Sequence, residues 1–192
     1  MGSVWAELMT YRDVARQHVT KFFAGHQCTE QQFDRGPMAD VADFSVVWFS
    51  PGPKTKLWTY CSLGASCPRS DEEERFEFLL LSPRCDDRIV ELVTMVAHYH
   101  RTERLGLRHM FAIGEPWLDQ SRCDCMATSL PYPFGPTLEK LDLSGFCARF
   151  LWLVPITSSE REFARDHGTE ELESRFDSAG LRYWDVGRQS VV

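Results

Sequence analysis

"FCARFLWLVPITSSEREFARDHG", residues 146–168, decides the fold. Phe150 to Val154 are apolar without a break, so this strand is covered on both faces and belongs in the middle of a sheet. Pro155 follows, and then Thr157-Ser158-Ser159-Glu160 forms a capping box. In that motif the Thr and Glu side chains each satisfy a free backbone N–H at a helix start. Strand therefore passes into helix with almost no loop between them. The helix is expected to run to about Gly168. Thr169 is expected to cap another helix carrying Leu172 and Phe176, which Gly180 closes.

Upstream, a helix is expected over residues 4–23. Val4, Leu8, Tyr11, Ala15, Val19 and Phe22 fall on one arc, and Gly25 stops it. "HQCTEQQFDRGPMAD" then reads as a loop. Strands follow at 44–49, 57–63 and 75–82. The first two are separated by "SPGPKTK", a stretch rich in turn residues. The next helix has Asp86 or Asp87 as its cap and ends near Gly106. Ile89, Leu92, Val93, Val96 and Ala97 make its apolar stripe. "HMFAI" and "CDCMATSL" are short strands, and "PYPFGP" breaks regular structure. One domain spans residues 1–192, with no internal repeat or linker.

Composition narrows the function. With 43% hydrophobic and 26% charged residues the chain has the balance of a globular domain. No apolar run reaches the roughly 20 residues that span a bilayer, and no secretion signal opens the chain. Membrane binding is not expected. The formal net charge of −7 opposes binding to a nucleic-acid backbone and suits a basic protein partner instead. Seven cysteines, an odd number, fit reduced thiols in a cytoplasmic protein better than a disulfide framework.

Four features of the sequence could carry chemistry. "GAS" at 64–66 resembles the nucleophile elbow of a hydrolase, but the second glycine is replaced by Pro68 and "RSDEEE" follows. Ser66 is read as part of a turn. Cys67 has no neighbour in sequence to lower its pKa. Cys123 and Cys125 are too far apart on one strand face to share a tetrahedral zinc. His98 and His100 point to opposite sides of a helix, with His100 on the apolar side. Glu115, Asp119 and Asp124 surround a loop bearing Trp117, where a hydrolase could keep an acid and a base. No catalytic set, metal site or cofactor is expected.

The segments "LWTYCSLGAS", "ERFEFLLLSP", "HRTERLGL", "IGEPWLDQSRCDCMATSLPY", "FLWLVPITSSEREFARDHGTEELESRF" and "YWDVGRQSVV" occur in that order. As an ordered set they resemble the suppressor-of-fused domain family in its bacterial single-domain form. The resemblance covers about residues 44–192 and leaves the helix and loop of residues 1–43 outside. It implies an α+β fold, a mixed β-sheet packed between helices, with no enzymatic activity. Eukaryotic relatives grip a peptide between this domain and a second one; that role does not carry over to a chain ending after the first. The acidic residue associated with peptide binding there, just before the proline matching Pro131, is Leu130 here.

Bacterial members of the family look like immunity proteins that neutralise a cognate toxin, and this is the leading expectation for function. A cytoplasmic adaptor for another protein is the alternative, and a hydrolase is the third reading. Partner contacts are expected where acidic and aromatic side chains meet. Those are Asp71, Glu72, Glu73 and Glu74, and the loop bearing Glu115, Trp117 and Asp119.

Overall fold

The computed structural model describes residues 10–32, 36, 38, 41, 44–66, 74–143 and 146–192. Helix α1 (Tyr11–Phe22) leads into β1 (Cys28–Gln32), β2 (Ser45–Phe49), β3 (Trp58–Leu63) and β4 (Glu74–Ser82). Helix α2 (Asp87–Glu103) follows, then β5 (Met110–Ala112), β6 (Cys125–Ser129), α3 (Pro136–Glu139) and β7 (Lys140–Leu143). The chain closes with β8 (Phe146–Ile156), α4 (Ser158–His167) and α5 (Thr169–Ser178).

The described strands form one mixed sheet in the order β1-β2-β3-β4-β8-β6-β5, and β7 also pairs with β8. As its unbroken apolar run predicts, β8 is central. Its first half runs parallel to β4, from Glu74 opposite Cys147 to Leu79 opposite Trp152. Along its other edge β7 pairs antiparallel with residues 146–149, and β6 with residues 152–156. Pro155, which has no N–H to donate, falls where pairing with β4 has already ended.

Alternation along β8 builds a core on each side. Phe150, Trp152, Val154 and Ile156 face one way, packing with Ala15 and Val19 of α1, Ala164 of α4, and Leu172 and Phe176 of α5. Leu151 and Leu153 face the other way, packing with Ile89, Leu92, Val93, Val96 and Ala97 of α2. The α+β class and the sheet between helices are as expected. No helix among the described residues is long and apolar enough to cross a membrane.

Several boundaries differ from the sequence reading. The first helix begins at Tyr11 behind a capping box of Thr10 and Asp13, and Val4 and Leu8 lie outside the described residues. The expected loop after it contains β1, an edge strand whose residues are exposed or half-exposed. With neither face covered, its sequence carries no apolar alternation. Backbone pairing with β2 and ion pairs from Arg12 and Arg16 to Glu30 hold it instead. After "PYPFGP" the chain forms α3 and β7, both too short to show a period. Helix α2 ends through Arg104 in a left-handed conformation, φ 51°, two residues before Gly106. The cap of α5 is Gly168 and not Thr169, and it contributes no side-chain hydrogen bond.

Candidate functional site

Helix α5 crosses the sheet at its β8-β6-β5 end, and its Leu172 and Phe176, one turn apart, point at the floor that Trp152 and Val154 supply. After Gly180 the chain turns back, and Leu181, Tyr183 and Trp184 make a second wall. Tyr183 meets Trp152 edge-on, ring centres 5.2 Å apart, and Phe176 at 5.9 Å. Between these surfaces is an open groove of about 570 Å³. Tyr132, 65% exposed, stands at its mouth. The lining is mainly apolar, with Arg108, Glu173 and Asp177 placing charge among it. A concave apolar surface with a few placed polar groups suits capture of side chains from another molecule. Among the described residues, the Thr128 hydroxyl in its lining bonds only backbone groups of Gly106 and His109, not an imidazole or a carboxylate.

The tail wall is fixed from below. Glu160 is fully buried and serves two purposes at once. One carboxylate oxygen accepts from Thr157 N at 2.9 Å, completing the capping box read in the sequence. The same carboxylate accepts two bonds from Arg188, at 2.5 and 2.8 Å, and one from Val191 N at 3.1 Å. Arg188 also donates to the carbonyl of Pro155 at 3.1 Å. Arg122 N donates to Val186 O at 2.7 Å, tying the tail to the loop after Trp117 as well. The strand-to-helix corner and the C-terminal segment are thus one unit.

The turn holding Ser66 surrounds a second buried acid. Glu77 accepts from Ser62 Oγ at 2.5 Å, Gly64 N at 2.9 Å and Ala65 N at 3.1 Å, and the neighbouring Tyr11 hydroxyl also favours its charged form. Burial pushes the Glu77 carboxyl above its ordinary value, although all four of these groups act against that shift. Ser66 is itself buried. Its Oγ donates to Phe76 O at 2.8 Å and accepts from Phe76 N at 2.7 Å, which occupies it structurally; His100 Nε2 is 3.3 Å away. With Gly64 at φ 88° this is a scaffold turn, as read from the sequence.

The other candidates fall apart in space. His100 is buried against Phe78 and His98 is exposed. Cys123 is buried, and burial pushes its thiol up to about 11, with the Arg188 charge pulling the other way. Among the described residues no cluster of three His, Cys, Asp or Glu could hold a metal ion. Asp119 pairs with Arg88 at 3.0 Å, and this guanidinium holds its carboxyl below the usual range. Asp124 instead accepts from Ser158 at 2.5 Å. Glu115 and Trp117 border a shallow depression against Arg88, Leu92 and Met95 of α2. Asp71, Glu72 and Glu73 lie outside the described residues, and Glu74 opens β4 opposite Cys147. Phe76, two residues on, touches His100 near the far end of α2 from Arg88. Arg88 and His100 thus lie near opposite ends of one helix of 17 residues, about 25 Å long.

Sequence reasoning missed the groove, Glu77 and Arg188. A lone acid between Phe76 and Phe78 in an apolar strand was a legible sign of the second. The groove was not legible, because its walls come from five segments that meet only in the fold.

Residues 40–189 match the family model described as Suppressor of fused protein. A crystal structure of a suppressor of fused homolog from Neisseria gonorrhoeae is 34% identical, with a TM-score of 0.82. That match covers 95% of this chain and 97% of the other. The structure of a Sufu-Fu complex matches at 13% identity and a TM-score of 0.72, covering 95% and 93% of the two chains. Drosophila Suppressor of Fused matches at 15% identity and a TM-score of 0.56, over 85% of this chain and 42% of that one. At those two identities the likeness is one of fold. A search of curated proteins gives no match.

Proposed function

Because this chain belongs to the suppressor of fused family, we propose that it is a non-catalytic domain that binds another protein. The observation that carries the proposal is the open apolar groove between α5, the sheet and the returning tail. Its floor is rigid, since Trp152 and Val154 sit on the central strand and the tail wall is pinned by Arg188. A preformed groove loses little entropy when it is filled, so a short segment of a partner suffices to bind. The relative solved as a Sufu-Fu complex supports a protein as the class of partner.

The finer reading is that the protein is a cytoplasmic, bacterial immunity protein and the partner a cognate toxin. Inhibition by covering a toxin requires tight binding and no chemistry. The net charge of −7 raises the rate of encounter with a basic toxin. Asp71 to Glu74, and the loop of Glu115, Trp117 and Asp119, are the acidic and aromatic contacts proposed for such a toxin. A general adaptor is the second reading, favoured by the Fu complex of the relative.

Co-expression with a toxin domain encoded beside this chain tests the proposal. Rescue of growth, with co-purification that weakens as salt rises, supports immunity. Co-purification of a non-toxic neighbour without any growth phenotype supports the adaptor. If no protein is captured by the wild-type chain that a groove variant fails to capture, the binding function is wrong.

A further inference from the structure

We propose that one end of the groove is an anion subsite that takes a carboxylate-bearing stretch of the bound polypeptide, so that the partner presents apolar side chains followed by acidic ones. This rests on the groove being the binding site.

A second depression of about 320 Å³ shares Arg108, Met110 and Thr169 with the groove and so continues it. Arg161 and Arg165 line it from α4, one turn apart. Like charges at that spacing repel and cost helix stability. Three guanidinium groups face this space against one carboxylate, Glu162, in a chain whose overall charge is −7. Asp166 and Glu170, which pair with Arg165 and Arg108, lie outside this lining, so the lined surface itself is cationic.

These cations are weakly engaged. Arg161 makes no side-chain hydrogen bond or ion pair among the described residues. Among the described residues Arg165 pairs only with its neighbour Asp166, at 3.3 Å, with side chains 73% and 59% exposed. Arg108 pairs with Glu170 at 3.2 Å, where the Glu170 side chain is 80% exposed. Solvated pairs of this kind contribute at most about 1 kcal/mol, so an incoming carboxylate can replace Glu170 at little cost. Glu170 already shows where such a carboxylate would sit.

Arg108 adds an independent observation. Its backbone is left-handed, φ 65°, a conformation that side-chain-bearing residues rarely adopt, and its N–H donates to Thr128 O at 2.9 Å. Glycine would hold this turn without strain. The arginine side chain is what the position gains in return, at the junction of the two spaces.

The test is an NMR titration of the labelled protein with three synthetic peptides. All share the half Leu-Phe-Leu, and they end in three glutamates, three glutamines or three lysines. Groove amides and the Nε–H signals of Arg161 and Arg165 are followed. The glutamate peptide is expected to bind about fivefold tighter than the glutamine peptide at low salt and to lose that advantage near 0.5 M salt. Arg161→Gln with Arg165→Gln is expected to abolish the advantage and leave glutamine-peptide affinity unchanged. Equal affinities for the two peptides, with groove amides responding to both, overturn the subsite and leave the groove standing. Groove amides that respond to none of the peptides overturn the groove itself. Inorganic phosphate or a single-stranded oligonucleotide that saturates the arginines more tightly than the glutamate peptide overturns the polypeptide occupant.

Discussion

Arg188 donates to both oxygens of the Glu160 carboxylate, at 2.5 and 2.8 Å, where Glu160 is fully buried and the arginine side chain 7% exposed. The carboxylate holds the guanidinium pKa above its ordinary value against the opposing effect of burial. Removing one partner leaves the other charged and buried. Arg188→Met is therefore expected to cost about 3–5 kcal/mol in chemical denaturation. Thr157→Ala removes only one cap bond, and about 1 kcal/mol is expected for it. A near-neutral Arg188→Met would show that the tail is not anchored through this pair.

Glu77 gives a pH dependence with a definite sign. Burial raises its pKa in the folded state above the ordinary 4.5, so the native protein holds this proton more tightly than the unfolded chain does. The contribution is fully present below the unfolded value and is lost as pH rises from about 4.5 through the folded pKa. Glu77→Gln cannot ionise. Its stability relative to wild type is expected to improve steadily over that window, measured as denaturation midpoints from pH 4 to pH 8. A constant difference across the range would mean the carboxyl is not shifted.

Gly64 lies in the same network, at φ 88° with its N–H on the Glu77 carboxylate. A β-branched residue is strained there. Gly64→Val is expected to destabilise by about 1–3 kcal/mol, read from thermal or chemical unfolding.

Ser66→Ala separates structure from chemistry. The hydroxyl bridges the N–H and carbonyl of Phe76, and losing it leaves a buried donor without its acceptor. A loss of about 1–3 kcal/mol of stability is expected, with partner binding retained at temperatures where the variant is folded. A fully stable variant that lost a measured activity would revive the hydrolase reading.

What the sequence disclosed follows the range of each interaction. β8, α2 and the corner at Thr157 were legible because burial on both faces, a 3.6-residue stripe and a capping box are each written within a dozen residues. The edge strand β1 was not, since Glu30 and its neighbours are held by pairing and by Arg12 and Arg16 rather than by any covered face. The cap of α5 was misplaced because a glycine, which offers no side-chain acceptor, stands where threonine was expected to act. Arg188 could be seen in the C-terminal motif, but nothing local says that its partner is Glu160, 28 residues earlier. The groove combines the turn at Tyr132, the strands, α5 and the tail, so only the fold could reveal it.

Two aromatic residues of that groove are expected to behave oppositely. Trp152 is 3% exposed on the central strand and packs edge-on against Tyr183, so Trp152→Ala is expected to cost about 3–5 kcal/mol and to lose binding through loss of the fold. Tyr132 is 65% exposed, and among the described residues no aromatic contact holds its ring. Substitution at such a position usually changes stability by less than about 0.5 kcal/mol. Tyr132→Asp is therefore expected to unfold at the wild-type denaturant midpoint while co-purifying less partner, because it puts a charge at the mouth of an apolar groove. An aromatic anchor at an interface can carry 2 kcal/mol or more, roughly thirtyfold in affinity. The pair of measurements separates a site from a scaffold: a stable Tyr132→Asp protein that captures its partner as well as wild type would move the binding surface away from this groove, toward the loop of Glu115, Trp117 and Asp119.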